Sequence, residues 1–146
     1  MILFRKITEE NFTAVLNMKR PEGEGFVASN CYSLAQAWLY REDGDVYPFA
    51  VYFDNVPVGF MMLEEDREDQ RLWLWRIMVS QEYSGKGYGS EAIRLLIKMI
   101  KEHGKYHSLY LDCNEKNAVA LHIYQKLGFR FTGDINHGDM EMRLDF

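Results

Sequence analysis

Between Tyr83 and Ile93 the chain reads YSGKGYGSEAI, with Gly85, Gly87 and Gly89 at every second position and an amphipathic helical pattern directly behind them. A glycine has no Cβ, so backbone there can approach a bulky ligand closely. The first turn of a helix offers N–H groups without partners at the positive end of its dipole. The pattern therefore predicts an anion site. It is not a Walker phosphate loop, because no Gly-Lys-Ser/Thr follows at the required spacing. A dinucleotide fingerprint has more support, since Gly87, Gly89 and Ala92 fit G-x-G-x-x-A and Asp112 stands roughly 20 residues later at a strand end. In that fold the strand runs straight into the first glycine. Here SQEYSGK separates Val79 from Gly87, and the chain is short of elements for two mononucleotide-binding halves.

The elements that must position this loop can be read from periodicity. ILFRKI reads as a first strand, and Asn11 to Lys19 carries helical spacing at Phe12, Val15, Leu16 and Met18 before RPEGEG interrupts it. Ser33 followed by Gln36 is a capping-box signature, predicting a helix through about Tyr40. YPFAVYF and VGFMMLEE flank DNVP as an antiparallel hairpin, and RLWLWRIMV reads as a long third strand of that group. From Tyr88 the apolar positions Ala92, Ile93, Leu96, Ile97 and Ile100 make one buried helical stripe, stopped at Gly104. SLYLDC is a strand, NAVALHIYQKL a helix closed by Gly128, and FRFTGDI with DMEMRLDF a closing pair of strands. The order predicts a mixed α/β domain, antiparallel first, with a strand–helix–strand crossover in the second half.

The 146 residues, 47% of them hydrophobic, suit a single domain over 1–146 with one core. No apolar run approaches the ~18 residues of a membrane span. MILFRKITEENF lacks the pattern of a secretory signal, so a cytoplasmic location without membrane association is expected. Cys31 and Cys113 have no metal-ligand spacing and read as free thiols; no metal is expected. A net charge of −5 argues against nucleic-acid binding, which needs a cationic field. The charge is uneven: residues 1–70 hold 13 acids and 6 bases (−7), and residues 71–146 hold 9 acids and 11 bases (+2). That division suits an anionic cofactor in one half and a cationic substrate near the other.

NEKNAVALHIYQKLGFRFTG, taken with MVSQEYSGKGYGSEAI, resembles the Gcn5-related N-acetyltransferase superfamily. Its acetyl-coenzyme A loop has the form Q/R-x-x-G-x-G/A, and its later helix reads N-x-x-A-x-x-x-Y-x-K-x-G-F. Gly87 and Gly89 match the loop. Asn117, Ala120, Tyr124, Lys126, Gly128 and Phe129 match the helix. One departure is Ser84 at the Q/R position. FVASNCYSLAQAW, PFAVYFDNVPVGFMML and LWLWRIMVSQEYSGKGYG are further similar to the bacterial diamine and spermidine/spermine acetyltransferases of that superfamily. The resemblance implies the acyl-CoA acyltransferase fold, a central mixed, mostly antiparallel twisted sheet with flanking helices. It also implies acetyl-CoA as co-substrate, and dimers are common among such proteins, so a homodimer is an expected assembly. Acetyltransferases for other amines (a protein N-terminus, an aminoglycoside, a small amino acid) and a non-catalytic acyl-CoA sensor are the alternatives; Tyr124 favours an enzyme.

On this resemblance the loop residues Ser84, Gly85, Lys86, Gly87, Tyr88, Gly89 and Ser90 would take the pyrophosphate. Met78 and Val79 would offer backbone groups to the pantetheine arm and thioester carbonyl, Asn117 would contact the cofactor, and Tyr124 would face sulfur. A phenol near pKa ~10 protonating a thiolate near ~8.5 works uphill by about 2 kcal/mol, so hydrogen bonding to developing charge is the larger share of Tyr124's expected role. The base is less defined. Some polyamine-acetylating relatives carry an acid where this chain has Trp75, and no carboxylate occurs between Arg71 and Val79. Glu64 is the expected base, with Glu22, Glu24 and Glu65 as carboxylates for a cationic amine and Trp75 as an aromatic wall beside it. His122 reads as a surface helix residue.

Overall fold

The computed structural model describes residues 1–21 and 27–146. Seven strands form one sheet in the order β1-β2-β3-β4-β5-β7-β6: β1 Ile2–Lys6, β2 Val46–Phe53, β3 Val56–Asp66, β4 Arg71–Val79, β5 Ser108–Cys113, β6 Arg130–Asn136 and β7 Asp139–Asp145. All neighbours are antiparallel except β4 and β5, which are parallel because the helix α3 (Tyr88–His103) crosses between them. The mixed, mostly antiparallel sheet expected from the sequence is the sheet observed.

Helices cover both faces. On one face Met61, Leu63, Leu72, Leu74, Leu109 and Leu111 meet the apolar stripe Ala92, Ile93, Leu96 and Ile100 of α3, and Ala120, Leu121 and Tyr124 of α4 (Ala118–Lys126) pack beside them. On the other face Val15 of α1 (Phe12–Leu16) and Leu34 and Ala37 of α2 (Asn30–Leu39) pack on Ala50, Tyr52, Phe60, Met62 and Met78.

Two helix starts and stops differ from the sequence reading. The cap of α2 is Ser29, in extended conformation, whose Oγ accepts from Tyr32 N at 3.2 Å; Ser33 lies inside the helix and is fully buried. The first helix ends at Leu16 rather than near Lys19, with Asn17 as its C-terminal cap.

Two features of β4 shape the far end of the sheet. Its register with β3 steps from Leu63↔Leu74 to Met62↔Arg76, so Trp75 is an extra residue, a β-bulge. Strict alternation would leave Leu72, Leu74 and Met78 on one face, yet Met78 packs in the opposite core from the two leucines. The bulge therefore re-aims the last third of the strand. In addition, β4 is paired with β5 only at Trp73↔Tyr110, so beyond that point the two parallel strands part. Gly59 keeps the far end of β4 tight against β3, for a Cβ there would stand 2.4 Å from the Met78 carbonyl oxygen.

Candidate active site

Where β4 and β5 part, a cleft of about 280 Å³ opens. Its walls include Ile77, Met78 and Val79 of β4, the loop and first turn of α3, Asn117, and Val119, Ala120, Ile123 and Tyr124 of α4. Gly87 is the N-cap of α3, in left-handed conformation at φ +82°, and no side chain caps the helix. The N–H groups of the first turn have no acceptor within the helix, so they face the cleft at the positive end of a 16-residue dipole. Gly85 also has a positive φ, +79°, and nothing lies within 4 Å of where a Cβ would stand at either residue. The loop thus presents bare backbone to open space, which fits a pyrophosphate. Gly89 differs: its backbone is ordinary helix, and a Cβ there would make normal contact with Val79 at 3.6 Å.

Most of the expected cofactor residues come together here: Met78, Val79, Ser84, Gly85, Gly87, Tyr88, Gly89, Ser90, Asn117 and Tyr124 all line the cleft. Lys86 does not; it is exposed, with its ammonium 5.9 Å from the Tyr83 ring centre. Ser84 uses its hydroxyl inside its own turn, donating to the Gln81 carbonyl at 2.8 Å. Asn117 has a second task as N-cap of α4, its Oδ1 accepting from Ala120 N at 3.3 Å. Arg20 also lines the cleft, donating to the Val27 carbonyl; nothing in the local sequence pattern marks it.

A second cavity, about 310 Å³, lies against the cleft and shares Val27, Ile77 and Tyr124 with it. Its other walls include Trp73, Trp75, Arg76, Asp112, Asn136, His137 and Asp139. Tyr124 is half-buried, its ring edge-on to that of the buried Phe129 with centroids 5.9 Å apart, so its direction is fixed by core packing. Trp75 is bounded by the Arg76 guanidinium 4.8 Å above its ring and by Tyr40 at 6.4 Å.

Neither Glu64 nor Glu65 lines the cleft or the second cavity. Glu65 is buried toward the α3 face, where its carboxylate takes the Lys105 ammonium at 2.8 Å, the Tyr106 hydroxyl at 2.5 Å and the Tyr47 hydroxyl. Those donors, Lys105 first, hold its pKa down to about 2. Glu64 is half-buried and lines neither cavity. Burial raises its pKa, as do Asp45 and Asp66, against the opposing Arg76. Glu22 and Glu24 lie outside the described residues. His122 is exposed on α4.

The acetyltransferase (GNAT) family model matches residues 12–129. The chain belongs to that family. Acetyl-CoA is accordingly its co-substrate and N-acetyl transfer its reaction. Among sequence relatives, the spermine/spermidine N(1)-acetyltransferase of Bacillus subtilis (strain 168) is 29% identical over 142 residues, covering 92% of this chain and 91% of that protein. Among solved structures, spermidine N-acetyltransferase from Vibrio cholerae in complex with CoA and spermine superposes with a TM-score of 0.75 at 19% identity, covering 99% and 95% of the two chains. The aminoglycoside acetyltransferase AAC(6')-Ib in complex with coenzyme A reaches 0.78 at 14% identity, again over 99% and 95%. An aminoglycoside enzyme fits as well as a spermidine enzyme, so the fold by itself does not choose the acceptor.

Proposed function

We propose that the chain transfers the acetyl group of acetyl-CoA directly to a primary amine of a diamine or polyamine such as spermidine or spermine. The observation that carries this reading is the position of Tyr124, which lines both the cleft behind the glycine loop and the cavity beside it. In this reading the uncapped first turn of α3 and the loop from Ser84 to Ser90 hold the pyrophosphate, and the end of β4 at Met78 and Val79 orients the acyl arm. The amine enters from the second cavity. An alkylammonium of pKa ~10.4 is about 0.04% neutral at pH 7, so it must shed a proton before its nitrogen can attack the thioester carbon. The carbon–sulfur bond breaks, the nitrogen's second proton leaves to water or a nearby base, and the Tyr124 hydroxyl stabilises and protonates the departing sulfur. The products are the N-acetylated amine and free coenzyme A.

The sequence likeness to the B. subtilis enzyme supports the polyamine class, as do the aromatic and acidic walls of the second cavity. A cytoplasmic enzyme is in keeping with Cys31 and Cys113 being free, and among the described residues no helix is long and apolar enough to cross a membrane. A homodimer is the assembly expected from the family, read by sedimentation.

The reading is tested with purified protein, acetyl-CoA and a panel of amines, following thiol release and product mass. Turnover on spermidine, spermine or putrescine is the expected result. Turnover only on a peptide or an aminoglycoside would overturn the polyamine acceptor and leave the acetyltransferase, and absence of thiol release with every polyamine offered would likewise overturn the polyamine acceptor.

A further inference from the structure

Two carboxylates that the sequence does not single out for the acceptor, Asp112 and Asp139, stand in the cavity beside Tyr124. Asp112 ends the exposed face of β5, and Asp139 opens β7 after a two-residue turn in which His137 and Gly138 both have positive φ, at 51° and 85°. That tight turn fixes the hairpin. From it, Asn136 donates its amide to Asp112 at 3.0 Å and to Glu141 at 3.2 Å, so the two acidic strands are held side by side on rigid elements.

The charges around the cavity are not balanced. Glu141 is buried and already partnered, against Arg71 at 3.6 Å and accepting the Thr132 hydroxyl at 2.6 Å. Arg76, the cation on the cavity wall, donates to Gln36 at 3.0 Å and to the Trp75 carbonyl at 3.2 Å and faces the charge of Glu64. Asp112 and Asp139 have no lysine or arginine at ion-pair distance among the described residues, and His137 lies beside Asp112. Burial raises the pKa of Asp112, and Asp139 and Glu141 push the same way. A second positive charge is what this wall lacks. Trp73 and Trp75 line the same cavity, apolar surfaces suited to a methylene chain.

We propose that Asp112 and Asp139 bind the distal ammonium of the acceptor, while Trp73 and Trp75 bound the carbon chain that leads from it to the reacting nitrogen at Tyr124. This rests on the polyamine reading above and adds the residues that select a second charge. A monoamine offers these carboxylates nothing, so the pair sets specificity rather than rate.

The test is steady-state kinetics of Asp112→Asn, Asp139→Asn and the double variant with spermidine and with n-butylamine. Asparagine keeps the Oδ1 that Asn136 uses, and thermal melts check the fold. The KM for spermidine should rise about tenfold or more in the double variant, as for loss of a charge-assisted contact, with kcat and the kcat/KM for n-butylamine changed less than about threefold. The spermidine KM should also rise with salt in the wild type and lose most of that dependence in the double variant, a readout that stands even where n-butylamine turns over too slowly to measure. An unchanged spermidine KM in the double variant, or an equal loss for both amines, would overturn the assignment while leaving the polyamine reading intact. A wild type that acetylates other amines but no polyamine would remove both.

Discussion

Glu65→Gln keeps the shape of a buried side chain and removes its charge. The carboxylate is only 10% exposed and takes three donors, Lys105 at 2.8 Å, Tyr106 at 2.5 Å, and Tyr47. They lower its pKa from 4.5 to about 2, a difference of about 2.5 units, or ~3.4 kcal/mol in favour of the charged form. Lys105 is 57% exposed and therefore screened by water, which brings the contribution to about 1.5–3 kcal/mol. Since the folded-state pKa is the depressed one, this stability is fully present above pH 4.5 and drains away as pH falls through about 2. With an unfolding entropy near ~0.3 kcal/mol/K for a chain of 146 residues, Tm should fall by roughly 5–10 °C at pH 7. The gap between wild type and variant should narrow steadily below pH 4.5. Circular-dichroism melts across that range, paired with KM values for acetyl-CoA and spermidine, provide the assay. The KM values should hold. A variant with unaltered Tm and a spermidine KM raised several-fold would refute this reasoning and return Glu65 to the acceptor site.

Gly87→Asp puts strain at φ +82° and a negative charge at the proposed anion site; calorimetry should show acetyl-CoA bound at least about tenfold more weakly, and Gly87→Ala, which carries the strain alone, should lose less. Unchanged affinity in the aspartate variant would remove the loop from the cofactor site. Gly59→Ala sets a Cβ against the Met78 carbonyl and should cost about 1–3 kcal/mol with a lower Tm; an unaltered melt would mean that the sheet yields freely at the bulged strand. Turnover of spermidine should climb from pH 7 toward pH 9 as the reacting amine loses its proton, and a flat profile would show that deprotonation does not limit the reaction.

The elements that can be read from the chain are those whose signals are local. Strands Arg71–Val79 and Ser108–Cys113 are short, largely apolar runs, and α3 runs from the glycine loop to Gly104, whose φ of +80° makes the stop. The cleft behind the glycine loop is legible for the same reason, since its loop and its α4 residues are contiguous motifs. Ser33 with Gln36 satisfies a capping template by composition, but Ser29 reaches its helix first and Ser33 is left in the core. The acceptor side is not legible in this way because its partners are distant in sequence. Glu65 is claimed by Lys105 and Tyr106, about forty residues on, and Asp112 meets Glu141 only through the pairing of β5 with β7. The bulge at Trp75, which turns the end of β4, likewise depends on register with β3 and leaves no mark in the strand's own pattern.

The central claim, that acetyl transfer takes place where the two cavities meet at Tyr124, is tested most directly by the kcat of Tyr124→Phe on spermidine at saturating acetyl-CoA. The variant keeps the ring and its edge contact with Phe129 and loses only the hydroxyl. Thiol release and N-acetylspermidine formation should fall together by about ten- to a thousandfold, with acetyl-CoA affinity changed far less. Full activity in the variant would show that water protonates the sulfur and that the reaction does not depend on the residue joining the two cavities.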